Sequence, residues 1–112
     1  MVTGGSRGIG AAAARLGAAS GYGVCINYRR NEAAARTVVE EIVACGGQAM
    51  AVADDVGVES DVARLFEEVD RTLGPVTALV NNAGILERQM RVEDMDAERL
   101  SRVLGTNVIG SF

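Results

Sequence analysis

The chain has 112 residues, of which 48% are hydrophobic and 23% charged, with a formal net charge of -4 and a mean hydropathy of +0.15. That is enough for one domain, 1–112, around a single core. The acidic balance argues against nucleic acid or an anionic membrane as partner, and no apolar run approaches the roughly 18 residues of a membrane span.

Residues 1–3 read as the tail of a strand that runs directly into "TGGSRGIG", where Gly4, Gly8 and Gly10 form a Thr-Gly-x-x-x-Gly-x-Gly pattern. Glycine is needed where φ is positive, or where a backbone or ligand comes too close for a Cβ. A glycine turn between strand and helix also leaves free N–H groups at the helix N-terminus. With the helix dipole, these make an anion site suited to a pyrophosphate. Taken alone, the motif could equally be a surface turn without a ligand. A helix is predicted near 8–20, built on Ala11 to Ala14 and Leu16, with Gly21 as its stop.

"YGVCINY", 22–28, has the composition of a second strand. Asn31 caps the following helix, which Gly46 and Gly47 close. "QAMAVA", 48–53, is a short third strand. Ser60 is predicted to cap a helix with Val62, Leu65, Phe66, Val69 and Leu73 at helical spacing, stopped by Gly74-Pro75. "VTALV", 76–80, is a continuous apolar run of the buried parallel-strand type. Asp96 caps a last helix through Leu100, Val103, Leu104 and Val108. Cys25 and Cys45 lack CxxC spacing, and the chain has no His. Both read as buried, reduced cysteines of an intracellular protein, expected in the cytoplasm. No metal site is expected.

Strands alternating with helices of this length mean βαβ units and a parallel sheet with right-handed crossovers. The fold class is α/β, a Rossmann-type doubly wound parallel sheet, of which the N-terminal half is expected here, truncated at both ends. Ligands of such sheets bind beyond the carboxyl ends of the strands.

The strand ends therefore carry the chemistry. After strand two, where an acidic residue would grip a ribose 2′-hydroxyl, stand Tyr28, Arg29 and Arg30, with Arg7 nearby in the glycine turn. A guanidinium suits a 2′-phosphate, although loop arginines can also simply be solvated. After strand three, Asp54 and Asp55 could accept a bond from an adenine amine or could be turn formers. After strand four comes "NNAG", Asn81 to Gly84, whose amides can bridge strand ends while Ala83 and Gly84 leave room for a ring or sugar.

Together, "TGGSRGIG" at 3–10, Asp55-Val56, "NNAG" at 81–84 and "TNVIG" at 106–110 resemble the short-chain dehydrogenase/reductase family, in the branch that holds 3-oxoacyl-carrier-protein reductases and glucose 1-dehydrogenase-like enzymes. The resemblance implies that Gly4, Ser6, Arg7, Gly8, Ile9 and Gly10 hold the pyrophosphate and adenosine end of the cofactor. It places Arg29 at the 2′-phosphate, Asp55 and Val56 around adenine, and Asn82, Ala83 and Gly84 near ribose and adenine, with Asn81 tying the sheet together. Asn107 matches an Asn that helps hold a water in the catalytic proton relay, although it could simply bond to a neighbouring helix. The family's Ser and Tyr-x-x-x-Lys have no counterpart in this chain, which has no Lys and no Tyr after Tyr28. The parent implied is an oxidoreductase using NADP in preference to NAD on a small-molecule carbonyl or secondary alcohol, expected to form a homodimer or homotetramer through helix four and a fifth helix not in this chain. The alternative is a non-catalytic dinucleotide-binding module or a redox-sensing regulator of the same fold.

Overall fold

The computed structural model describes residues 1–112. Helices α1 (Gly8–Ala19), α2 (Glu32–Ala44), α3 (Glu59–Leu73) and α4 (Ala97–Asn107) alternate with strands β1 (Val24–Tyr28) and β2 (Ala49–Ala53) before the chain reaches α3. Short 3-10 turns lie at Val92–Asp94 and Ile109–Ser111. β1 and β2 pair in parallel, from Val24 opposite Ala49 to Tyr28 opposite Ala53. On the other side of β1, Val2 bridges in parallel both to Ile26 and to Val80. The lateral order is therefore β2, β1, Val2, Val80. The chain winds outward from Val2 through β1 to β2, then returns to Val80 on the opposite side. A topological switch point lies between Val2 and Val80, the place where such sheets bind ligands.

The two faces of the sheet are covered separately. Val24 and Ile26 point to one side, where they pack with Val2, Ala11, Ala14, Ala35, Val38 and Ile42. Alternation along the strand sends Cys25 to the other side, against Leu65 and Val69 of α3. The alanines of α1 bring that helix close to the sheet. Ile26 and Leu65 are among the largest fully buried side chains, and burying one such side chain contributes about 1.5–3 kcal/mol.

Two predicted caps form as expected. The Asn31 side chain accepts from the Ala34 N–H at 3.0 Å, and Asp96 accepts from the Arg99 N–H at 2.6 Å. Ser60 is not a cap. α3 begins at Glu59 with Val58 in the cap position and no side-chain cap bond. The reason lies upstream: Asp55 accepts the Gly57 N–H on Oδ1 at 2.9 Å and the Val58 N–H on its carbonyl at 2.9 Å. This tight turn starts the helix early and leaves Ser60 inside the first turn.

The segment 76–80 is also less of a strand than its composition predicts. Only Val80 bridges, and Leu79 and Val80 are 45% and 40% exposed. Its sole strand partner is the short Met1–Thr3 segment, and its far edge has no neighbour. Cys25 is buried as expected, but Cys45 is exposed, because it falls at the C-cap of α2, one turn beyond Ile42. The Cys25 thiol is pushed up to about 11 by burial, with smaller contributions from the N-terminal ammonium, which lowers it, and from Asp54 and Glu68, which raise it.

Candidate functional site

A groove of about 600 Å³ opens over the carboxyl ends of the strands, lined by the glycine turn, the end of β1, the Asp54–Val56 turn and Asn82–Gly84. That volume falls in the range of small-molecule sites.

Its floor is held by buried polar side chains. Asn27, 2% exposed, donates to the Asp54 carbonyl at 2.9 Å and accepts from the Gly4 N–H at 3.3 Å. It thereby joins the end of β1 to the end of β2 and to the glycine turn. The Thr3 hydroxyl oxygen accepts from the N–H groups of Asn82 and Ala83, both at 3.0 Å. Asn82 returns the link, its side-chain nitrogen donating to the carbonyls of Thr3 at 3.0 Å and Gly4 at 3.1 Å. Every bond here replaces water that burial has removed. Asn82, not Asn81, therefore ties the strand ends together. Asn81 instead donates to the Ser111 carbonyl at 3.1 Å, because the alternation of side chains along this segment sends it the other way.

The glycines divide by cause. Gly4 has φ +61°, and a Cβ there would lie 2.9 Å from the Ala83 Cα. Gly10 is buried beneath the turn and does not line the groove; a Cβ would meet the Asn82 side-chain nitrogen at 2.5 Å and the Gly4 carbonyl at 2.6 Å. Above them, α1 begins without a side-chain cap and without an acidic residue in its first turn, next to Ser6, Arg7 and Ile9 of the groove lining.

Three arginines, Arg7, Arg29 and Arg30, line the same groove. Only Arg29 is paired, its Nε lying 2.8 Å from Asp55 Oδ2. Asp54 is buried and pairs through Oδ1 with Arg64 of α3, which also meets Asp61 at 3.0 Å. The other Asp54 oxygen has no hydrogen-bond partner. The Asp61 carboxylate accepts the Asp55 N–H at 3.0 Å. That bond first, and Arg64 second, hold Asp61 below the ordinary aspartate value. The Arg64 guanidinium is correspondingly raised, by its bond to Asp54 and then by that to Asp61.

Of the residues predicted for the site, Gly4, Ser6, Arg7, Gly8, Ile9, Arg29, Asp55, Val56, Asn82, Ala83 and Gly84 all line this groove. Gly10 supports it from below. Asn107 stands outside, its side chain bonded twice to the Ile85 backbone: Oδ1 accepts the Ile85 N–H at 2.8 Å, and Nδ2 donates to the Ile85 carbonyl at 2.9 Å. Its partner is thus the loop after Gly84 and not a neighbouring helix. Tyr28, Ile85 and Thr106 also line the groove. Thr3 and Asn27 are structural supports not singled out from sequence. The available signal was a polar side chain inside otherwise apolar strand residues.

A cradle that a Cβ would fill, an uncapped helix start and arginines around one end fit a dinucleotide phosphate. The family model for short chain dehydrogenase matches residues 1–112. The chain is 49% identical over 112 residues to the uncharacterized oxidoreductase YgfF of Escherichia coli, covering 100% of this chain and 45% of that protein. It is 44% identical over 111 residues to a 3-oxoacyl-[acyl-carrier-protein] reductase of Bos taurus, covering 99% of this chain and 45% of the reductase. A solved structure of a short chain dehydrogenase from Burkholderia cenocepacia in complex with NADP superposes with a TM-score of 0.91 at 37% identity, over 97% of this chain and 44% of that one. The chain thus spans less than half the length of each of these proteins. With the match running from end to end and the strand order, glycine turn and Asn82 lock in place, the chain belongs to the short-chain dehydrogenase family.

Proposed function

We propose that the groove binds NADP in preference to NAD, and that the protein carrying this chain moves a hydride between the nicotinamide and a small-molecule carbonyl or secondary alcohol. The observation that carries the reading is the end of β1, where Arg29 and Arg30 stand in place of an acidic residue and share the groove with Arg7. A carboxylate there would repel a 2′-phosphate, whereas guanidinium groups make charge-assisted bonds to it.

In this reading the N–H groups at the start of α1, with Gly4, Ser6, Gly8 and Ile9, hold the pyrophosphate. Gly10 keeps the turn close to the sheet. Arg29 faces the 2′-phosphate, and Arg7 adds charge beside it. Asp55 and Val56 flank adenine, while Ala83 and Gly84 give room to the ribose, with Asn82 fixing their position. Asn107 spends its amide on Ile85, so it holds the loop after Gly84 against the end of α4. Its own carbonyl, at a helix end where intrahelical partners run out, is the group available to a relay water. The nicotinamide, when bound, supplies the hydride chemistry. By family resemblance a Tyr acts as general acid/base, a Lys lowers its pKa and a Ser orients the carbonyl; none of these positions lies within residues 1–112.

No helix is long and apolar enough to cross a membrane, and the proposal places the protein in the cytoplasm, assembled as a homodimer or homotetramer through α4. The test is titration of the full-length protein with NADPH and NADH, followed by NADPH oxidation with a panel of ketones. Tighter NADPH binding with turnover is expected. Binding without turnover would favour a non-catalytic cofactor-binding module, and absence of binding would overturn the reading of the groove.

A further inference from the structure

We infer that Asp55 is a specificity-determining residue whose carboxylate holds the Arg29 guanidinium and so tempers the preference of the groove for a 2′-phosphate over a free 2′-hydroxyl. The inference rests on the reading above that Arg29 faces the 2′-phosphate.

Of the three arginines around the groove, Arg7 and Arg30 form no ion pair, and Arg29 alone is engaged, its Nε 2.8 Å from Asp55 Oδ2. The two partners differ in freedom. Asp55 is fixed from both sides: its Oδ1 accepts the Gly57 N–H at 2.9 Å and its own N–H donates to Asp61 at 3.0 Å. Arg29 has a side chain 48% exposed and can swing. A pair this exposed adds little to stability, so its main consequence is the charge it leaves at the site. An incoming 2′-phosphate must share the guanidinium with a fixed carboxylate or pull it away, and either reduces the gain from the contact. A cofactor with a free 2′-hydroxyl meets the same carboxylate without that competition. Any role of Asp55 at the adenine ring acts on both cofactors alike and cancels in their ratio.

The test is a double-mutant cycle on the full-length protein, reading the ratio of the NADH to the NADPH dissociation constant at one ionic strength. Asp55→Asn keeps the size of the side chain and an oxygen for the Gly57 N–H. Asp55→Ser, which also keeps an acceptor, serves as second variant, and thermal melting confirms that each folds. Asp55→Asn is expected to raise the ratio by roughly threefold or more. Arg29→Ala is expected to lower it, and Asp55→Asn added to Arg29→Ala should leave it unchanged. A ratio that stays the same or falls in both Asp55 variants, while Arg29→Ala still lowers it, overturns this inference and leaves the reading of Arg29 standing. An equal rise with and without Arg29 also overturns it, because Asp55 would then repel the phosphate directly. If Arg29→Ala does not change the ratio, the assignment of Arg29 itself fails, and this inference with it.

Discussion

A Cβ placed on Gly10 would stand 2.5 Å from the side-chain nitrogen of Asn82, the same nitrogen that bonds the Thr3 and Gly4 carbonyls. The first helical turn and the fourth strand end are thus packed together with no space for a methyl group. Gly10→Val is expected to push Asn82 off these carbonyls, costing about 1–3 kcal/mol of stability together with cofactor affinity. Thermal melting and fluorescence titration with NADPH check this. Normal NADPH binding by the variant would show that the turn does not depend on this contact.

Arg29→Asp replaces the cation proposed for the 2′-phosphate and sets a second carboxylate beside Asp55. The loss of a charge-assisted contact is worth about 1.5–3 kcal/mol, so preference should swing toward NADH. The measurement is kcat/KM for each cofactor with the full-length protein. Equal values in the parent, unchanged in the variant, would remove Arg29 from the site.

Asp61 fixes the Asp55 turn through its bond to the Asp55 N–H, and its pKa is depressed by that bond and by Arg64. A depressed carboxylate stabilises the fold at pH values above the ordinary aspartate value, about 3.9, and the contribution disappears as pH falls through the lower folded value. Asp61→Asn is therefore expected to be less stable than the parent at pH 7, with the difference shrinking below about pH 4. Denaturant midpoints followed by circular dichroism across pH test it. A difference independent of pH would mean that the charge of Asp61 does not hold the turn.

Residues 1–112 expressed alone should melt without a sharp transition, bind NADP weakly and reduce no carbonyl. The open edge at Val80 and the apolar side of α4, where Leu100 and Leu104 are 47% and 51% exposed, forfeit burial that a domain of about 5–15 kcal/mol total stability cannot spare. Calorimetry and NADPH oxidation with a ketone panel decide. A cooperative two-state melt would refute the stability claim, and turnover above background would refute the Tyr-Lys mechanism applied to this family member.

The alternation of strands and helices, the caps at Asn31 and Asp96 and the line of motifs at the strand ends were all legible in the amino-acid sequence, because they depend on local periodicity and on residue chemistry within a few positions. The residues singled out at the strand ends come together along one groove, with Gly10 beneath it and Asn107 outside it, because a parallel sheet brings all its carboxyl strand ends to one side. What tertiary structure alone decided is which neighbour each group meets. Asn82 rather than Asn81 locks the sheet because only the fold sets which of two adjacent amides points at Thr3 and Gly4. Ser60 is a local exception, failing as a cap because Asp55 closes a short turn with Gly57 and Val58 that starts α3 early. Cys45 lies exposed because α2 ends just where its packed face does, and the Arg29–Asp55 pair joins the ends of two strands far apart in sequence. The Asn82 lock and the Arg29–Asp55 pair are contacts between segments, fixed by how the strands and helices pack, and no local pattern encodes them.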